Sequence, residues 1–157
     1  MKKLFFCLVM ALMAVCANAQ VTWNVRAGVG VQEFEGDYEK DSHGGWTVAV
    51  ESNIPFKTGS SFTFSPSLSF FMGIGEGSEN MRITLPLHLG YKIFLSDNLI
   101  FFPKVGPAIA AGNYFEYGPS LELPFEYKRL VITLQAQELI SENHNYLGAA
   151  LTLGYKF

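Results

Sequence analysis

No cysteine follows residue 19: the two that the chain has, Cys7 and Cys16, both stand in its first 19 residues. A mature protein beginning at Gln20 therefore has no disulfide framework, no thiolate metal ligand and no cysteine nucleophile. Apolar runs are short as well. A membrane-spanning helix takes roughly 20 consecutive apolar residues, and the longest run here, 4–15, falls short of that. Positive charge is scarce, since without Lys2 and Lys3 nine bases face fourteen acids, a net charge of −5. A mildly acidic chain of this kind lacks the electrostatic footprint of a nucleic-acid binder. With no linker, low-complexity stretch or charge block to divide them, residues 20–157 make one domain.

The first 19 residues read as an address. Lys2 and Lys3 form a basic start, an apolar core follows, and Ala17, Asn18 and Ala19 place small residues before a cut at Gln20. The pattern predicts a secretory signal peptide over 1–19, cleaved near Ala19. The competing reading is a lipoprotein signal that uses Cys16. Val15 is larger than the residue expected just before a lipidated cysteine, which favours ordinary cleavage.

What the rest of the chain does have is alternation. At its end Leu147, Leu151, Leu153, Tyr155 and Phe157 occupy odd positions, with Gly148, Thr152, Gly154 and Lys156 between them. A period of two is a strand with one apolar face. The same pattern predicts strands over 22–32, 46–51, 62–74, 81–93, 101–110, 115–127, 130–137 and 145–157, separated by seven turn or loop signals. In the third, only Phe71 breaks the alternation. Most reach the 9 to 11 residues that a tilted strand needs to cross a bilayer. An even count of antiparallel strands after a secretory leader predicts an all-β, eight-stranded transmembrane β-barrel of the outer-membrane type.

Sidedness separates this reading from a soluble lipocalin-like barrel. Eight strands leave room for their own side chains or one small ligand. The apolar face carries Phe, Tyr, Trp, Leu and Ile on almost every strand, too much bulk for that lumen, whereas the Gly, Ser, Thr and Ala of the other face fit. Apolar side chains therefore point outward, toward lipid. Closure follows, because open strand edges in hydrocarbon leave unpaired backbone groups. With the N-terminus on the periplasmic side, one aromatic rim holds Trp23, Tyr91, Phe101, Phe125, Tyr127, Tyr155 and Phe157, the other Trp46, Met72, Met81, Phe115 and Tyr117.

Charges on the inward face then form an interior polar network of Arg26, Glu51, Arg82, His88, Lys92, Lys104, Glu122 and Glu126, extended by Glu116, Gln135 and Gln137. A symmetric first hairpin, with a loop over 33–45, sets Arg26 opposite Glu51, and a tight loop at Asn113 sets Lys104 opposite Glu122. Opposite charges across an antiparallel pair attract, and buried charges need partners. His88 reads as a core histidine with no serine at a catalytic offset. No catalytic, cofactor or metal residue is assigned.

Two loop clusters remain. The first, 33–45, carries Glu33, Glu35, Asp37, Glu39 and Asp41; Glu35, Asp37, Glu39 and Asp41 form a candidate extracellular binding loop. Its alternate acids resemble the start of a calcium loop, but the glycine and distal glutamate are out of register. The second, Ser141, Glu142, Asn143 and His144, holds the residue types of a hydrolytic triad, which distant segments normally assemble.

The segments Val25–Val31, Leu85-Pro86-Leu87-His88-Leu89-Gly90-Tyr91-Lys92, Pro103-Lys104-Val105-Gly106-Pro107 and Leu153-Gly154-Tyr155-Lys156-Phe157 together resemble the PorT-like outer-membrane β-barrel domain proteins, which share the architecture of the OmpX and OmpA barrels. The resemblance implies residence in the outer membrane of a Gram-negative bacterium, contact with its lipid, and a C-terminal strand ending at Phe157 that the barrel-insertion machinery reads. The expected role is structural or extracellular-binding, as a monomer without cofactor and with an unidentified extracellular ligand. The alternatives are an outer-membrane enzyme that modifies lipid A and a soluble carrier.

Overall fold

The computed structural model describes residues 20–36, 40–74, 81–111, 115–141 and 144–157. The signal peptide expected over 1–19 lies outside these residues. Ten strand segments follow in order: β1 (Thr22–Gly36), β2 (Lys40–Pro55), β3 (Phe62–Gly73), β4 (Met81–Tyr91), β5 (Ile93–Phe94), β6 (Leu99–Phe101), β7 (Lys104–Ala111), β8 (Phe115–Tyr127), β9 (Leu130–Ile140) and β10 (His144–Lys156). Two staves are interrupted, so ten segments make eight. Lys92 divides β4 from β5, and Phe102 with Pro103 divides β6 from β7.

Each stave pairs antiparallel with its chain neighbour, and β1 pairs with β10, so the sheet closes. The result is an eight-stranded antiparallel β-barrel. Its sidedness is inverted relative to a water-soluble protein. Large apolar residues from Ile109 at 36 % to Phe157 at 70 % exposure cover the outside, while Asn24, Arg26, Glu51, His88, Lys104, Glu122 and Glu126 are buried. Alternation along each strand produces this directly, because neighbouring side chains take opposite faces.

Two phenylalanines go inward against the grain, and glycines make their room. A Cβ on Gly45 would lie 2.5 Å from the Phe71 ring, and one on Gly90 would lie 2.5 Å from the Phe102 ring. Phe102 turns in where the stave breaks, its N–H donating to the Pro124 carbonyl at 2.9 Å. The ladders also skip pairs beside Pro66, Pro86, Pro107 and Pro119, residues that have no N–H to give.

Four expected boundaries are corrected. β2 begins at Lys40 rather than Trp46, and β1 runs on to Gly36, so most of the stretch 33–45 is paired hairpin instead of loop. Polar residues hid the alternation there, but ladder bonds to the neighbouring strands carry the backbone. β9 extends past Gln137 to Ile140, bonded to β10 throughout. The strand expected over 81–93 is interrupted at Lys92, whose N–H donates to the Ser61 carbonyl at 2.9 Å.

Candidate functional site

The interior is stacked in layers. One end of the barrel, the loop end, carries the β1–β2, β3–β4, β7–β8 and β9–β10 connections, and the other, the turn end, carries the β2–β3, β5–β6 and β8–β9 connections. At the loop end, Arg82 donates from Nη2 to Glu116 Oε1 at 3.1 Å and lays its guanidinium over the Tyr146 ring, 3.1 Å from the centroid. The Tyr146 hydroxyl donates to Gln32 Oε1. Leu139, Ala108 and Ala110 pack beside Tyr146 as the one apolar cluster among the described interior residues. Below lies a cavity of about 20 Å³ among Gln32, Thr47, Ser69, Phe71, Thr84 and Gln137, space for a single water.

The middle layer is a desolvated ionic cluster. Arg26 donates to both oxygens of Glu122, at 3.2 and 2.9 Å, in the bidentate geometry that makes such pairs strong. The same guanidinium lies 3.2 Å from Glu51 Oε2. Lys104 Nζ bonds Glu51 Oε1 and stands 3.8 Å from Glu122, and Asn24 donates to Glu51 at 3.1 Å. Two bases and two acids thus neutralise one another where no water reaches. Toward the turn end, Phe102 lies beneath Lys104, whose Nζ is 4.4 Å from the ring centroid, with Lys92 Nζ at 5.3 Å. Lys156 pairs with Glu126 below it.

All eight residues expected in the network therefore face the lumen, but not all as the register suggested. Lys104 stands opposite Glu122. Arg26 faces Ala49, while Glu51 faces Asn24, so the Arg26–Glu51 contact is diagonal rather than direct. The turn of the first hairpin sits nearer the N-terminus than a symmetric 33–45 loop requires. The pairing of Arg26 with Glu122, across the lumen from β1 to β8, was not expected.

His88 is buried in the lumen, and a serine from another stave reaches it. Ser120 Oγ lies 3.1 Å from His88 Nε2, and Glu122 Oε2 lies 3.8 Å from Nδ1. The second distance is too long for a hydrogen bond, because Glu122 gives its oxygens to Arg26. All three side chains are buried in the wall of the lumen.

Of the candidate binding loop, Glu35 pairs in the ladder with Lys40, and Asp41 with Phe34; Asp37 and Glu39 lie outside the described residues. So do Glu142 and Asn143 of the last loop.

Neither a protein-family model nor a curated protein sequence matches the chain. Solved structures do. The outer membrane enzyme PagL is similar with a TM-score of 0.64 at 11% identity, over 84% of this chain and 98% of that one. Ail, the attachment invasion locus protein of Yersinia pestis, is similar with a TM-score of 0.59 at 12% identity, over 87% of this chain and 98% of that one, and has also been solved with the heparin analogue sucrose octasulfate. Neisserial surface protein A gives 0.59 at 8% identity, over 86% and 97%. What the chain shares with these proteins is the fold of the small outer-membrane β-barrels.

Proposed function

We propose that the chain is a monomeric outer-membrane barrel of a Gram-negative bacterium, exported by residues 1–19 and inserted through the strand that ends at Phe157, whose role is structural or extracellular-binding. The observation that carries this reading is the inverted sidedness: an apolar outside is tolerable in lipid and not in water. The PorT-like resemblance agrees with it. The start of β1 and the end of β10 lie side by side at one end of the barrel, with the connections 56–61, 95–98 and 128–129; taking that end as periplasmic, the connections of the opposite end face outward, where a partner would be met.

That outward end is acidic. By sequence, Glu33, Glu35, Asp37, Glu39 and Asp41 of the first hairpin are joined by Glu76, Glu79 and Glu142 of the neighbouring connections and by Glu138 near the end of β9, against Lys40 and Arg82, the latter paired with Glu116. Ail has been solved with a polyanion; here charge repels one and suits a cationic partner. The likeness to PagL keeps an enzyme in view. Against it stands the chemistry at hand, since the Ser120–His88–Glu122 grouping is sealed inside the barrel.

The test has two arms. A detergent-extracted barrel is expected to shift on a gel between unheated and boiled samples, and a protein soluble without detergent would overturn the membrane reading. Neutralising the five first-hairpin acids is expected to abolish adhesion of expressing cells to cationic surfaces; unchanged adhesion removes the binding role. Lipid A species altered by the protein's presence would replace it with an enzymatic one.

A further inference from the structure

Charge is sorted along the barrel axis. Whereas acids crowd the loop end, the turn end carries Lys57, Lys92, Lys128, Arg129 and Lys156 against Asp97 and Glu126. Lys92 and Lys156 point into the lumen, Lys156 paired with Glu126. Lys128 and Arg129 do not. They form the two-residue connection between Tyr127 and Leu130, which pair directly, and both are exposed.

The connection is built outward. Arg129 Nη1 donates to the Tyr155 hydroxyl at 3.0 Å, and Lys128 Nζ lies 5.6 Å from the Tyr127 ring centroid. Tyr127 and Tyr155 belong to the outer wall, so they draw both cations to the barrel's circumference, above the apolar surface of Leu130, Ile132 and Phe157. Backbone bonds fix the turn on both sides: Lys128 N–H donates to the Asn98 carbonyl at 3.0 Å, and Lys156 N–H to the Arg129 carbonyl at 2.8 Å.

The backbone adds an independent sign. Lys128 has φ +55°, the single positive value at a non-glycine residue among those described, and it stands first in a two-residue hairpin. Turns of this type favour glycine at that position. The other positive φ among the described residues falls on a glycine, Gly59 at +75°, in the six-residue connection between β2 and β3. At 128 the molecule accepts a strained residue and gains an ammonium group beside a guanidinium.

We propose that Lys128 and Arg129, seated on Tyr127 and Tyr155, clamp the phosphate of an anionic phospholipid in the leaflet at the turn end. Guanidinium and ammonium supply the charge and donors for a phosphate diester. The tyrosines sit at headgroup depth, and the acyl chains lie along Leu130 and Ile132. The proposal rests on the membrane reading above.

It is tested by folding the protein into phosphatidylcholine vesicles with and without one-fifth phosphatidylglycerol, extracting it in mild detergent, and counting retained lipids by native mass spectrometry. Wild type is expected to enrich phosphatidylglycerol over phosphatidylcholine. Each base near the surface is worth a factor of about five, so Lys128→Gly and Arg129→Gln each remove about that factor. Lys128→Gly is expected to keep or raise Tm, because glycine relieves the strained φ, so lost preference cannot be lost folding. Lys57→Gln, in a different turn, is expected to leave the preference unchanged. A wild type that inserts but shows no preference, or variants that retain it, would overturn the clamp. Equal loss on Lys57→Gln overturns it in favour of diffuse attraction. A wild type that inserts into neither vesicle contradicts the membrane reading instead.

Discussion

Glu122→Gln is the sharpest probe of the sealed lumen. Glu122 takes both Arg26 bonds, at 3.2 and 2.9 Å, and lies 3.8 Å from Lys104. The amide keeps the shape but removes the charge and replaces one acceptor oxygen with a donor. That donor must face either the Arg26 guanidinium or the Lys104 ammonium, and Glu51 alone is left to balance two buried cations. Breaking a buried pair in this way costs about 3–5 kcal/mol. Arg26→Met leaves the converse imbalance, two carboxylates on one ammonium, with a similar loss. The double variant retains Lys104 with Glu51, a neutral pair already in contact, so it is expected to fall no further than the worse single change, an interaction at least as large as the smaller single loss, about 3 kcal/mol. The assay is reversible denaturant unfolding of the barrel in phosphatidylcholine vesicles, followed by tryptophan fluorescence. Losses below about 1 kcal/mol that simply add are the signature of solvated pairs. They would refute the desolvated cluster and put a water-filled path in its place, to be sought as conductance in a planar bilayer.

Two further outcomes follow from the packing. Val48 lies on the outer face at mid-height, between Ala27 and Phe70; Val48→Arg is expected to cost about 2–4 kcal/mol in a bilayer, measured by the same unfolding, and an effect near zero would mean this face does not meet hydrocarbon. Phe102→Ala is expected to cost about 3–5 kcal/mol, and Gly90→Ala to be harmful in the wild type, where a Cβ would lie 2.5 Å from the Phe102 ring, yet nearly harmless beside Phe102→Ala. Independent effects at the two positions would show that the ring does not need that glycine.

The side on which a residue falls was legible in the sequence because strand periodicity is two, and an error of two residues in register leaves every side chain on its face. The first hairpin illustrates this. A run of acids reads as loop, which drew the expected turn too far along the chain and set Arg26 against Glu51. The true register sets Arg26 against Ala49, but both charges still point inward, and their contact at 3.2 Å survives as a diagonal. Lys104 and Glu122 were placed directly because their connection is tight and leaves the turn little freedom. Contacts across the lumen belong to another order of information. Arg26 meets Glu122 96 positions away, and His88 meets Ser120 from a stave with another between them. Which wall faces which depends on strand number and stagger together, properties of the closed sheet that no single strand encodes. Serine on β8 was indistinguishable from any other small inward residue until closure placed His88 within reach of it. The same argument locates the strain at Lys128: a lysine in a two-residue connection reads as an ordinary polar turn, and only its backbone angle reveals that glycine would have been the easier choice.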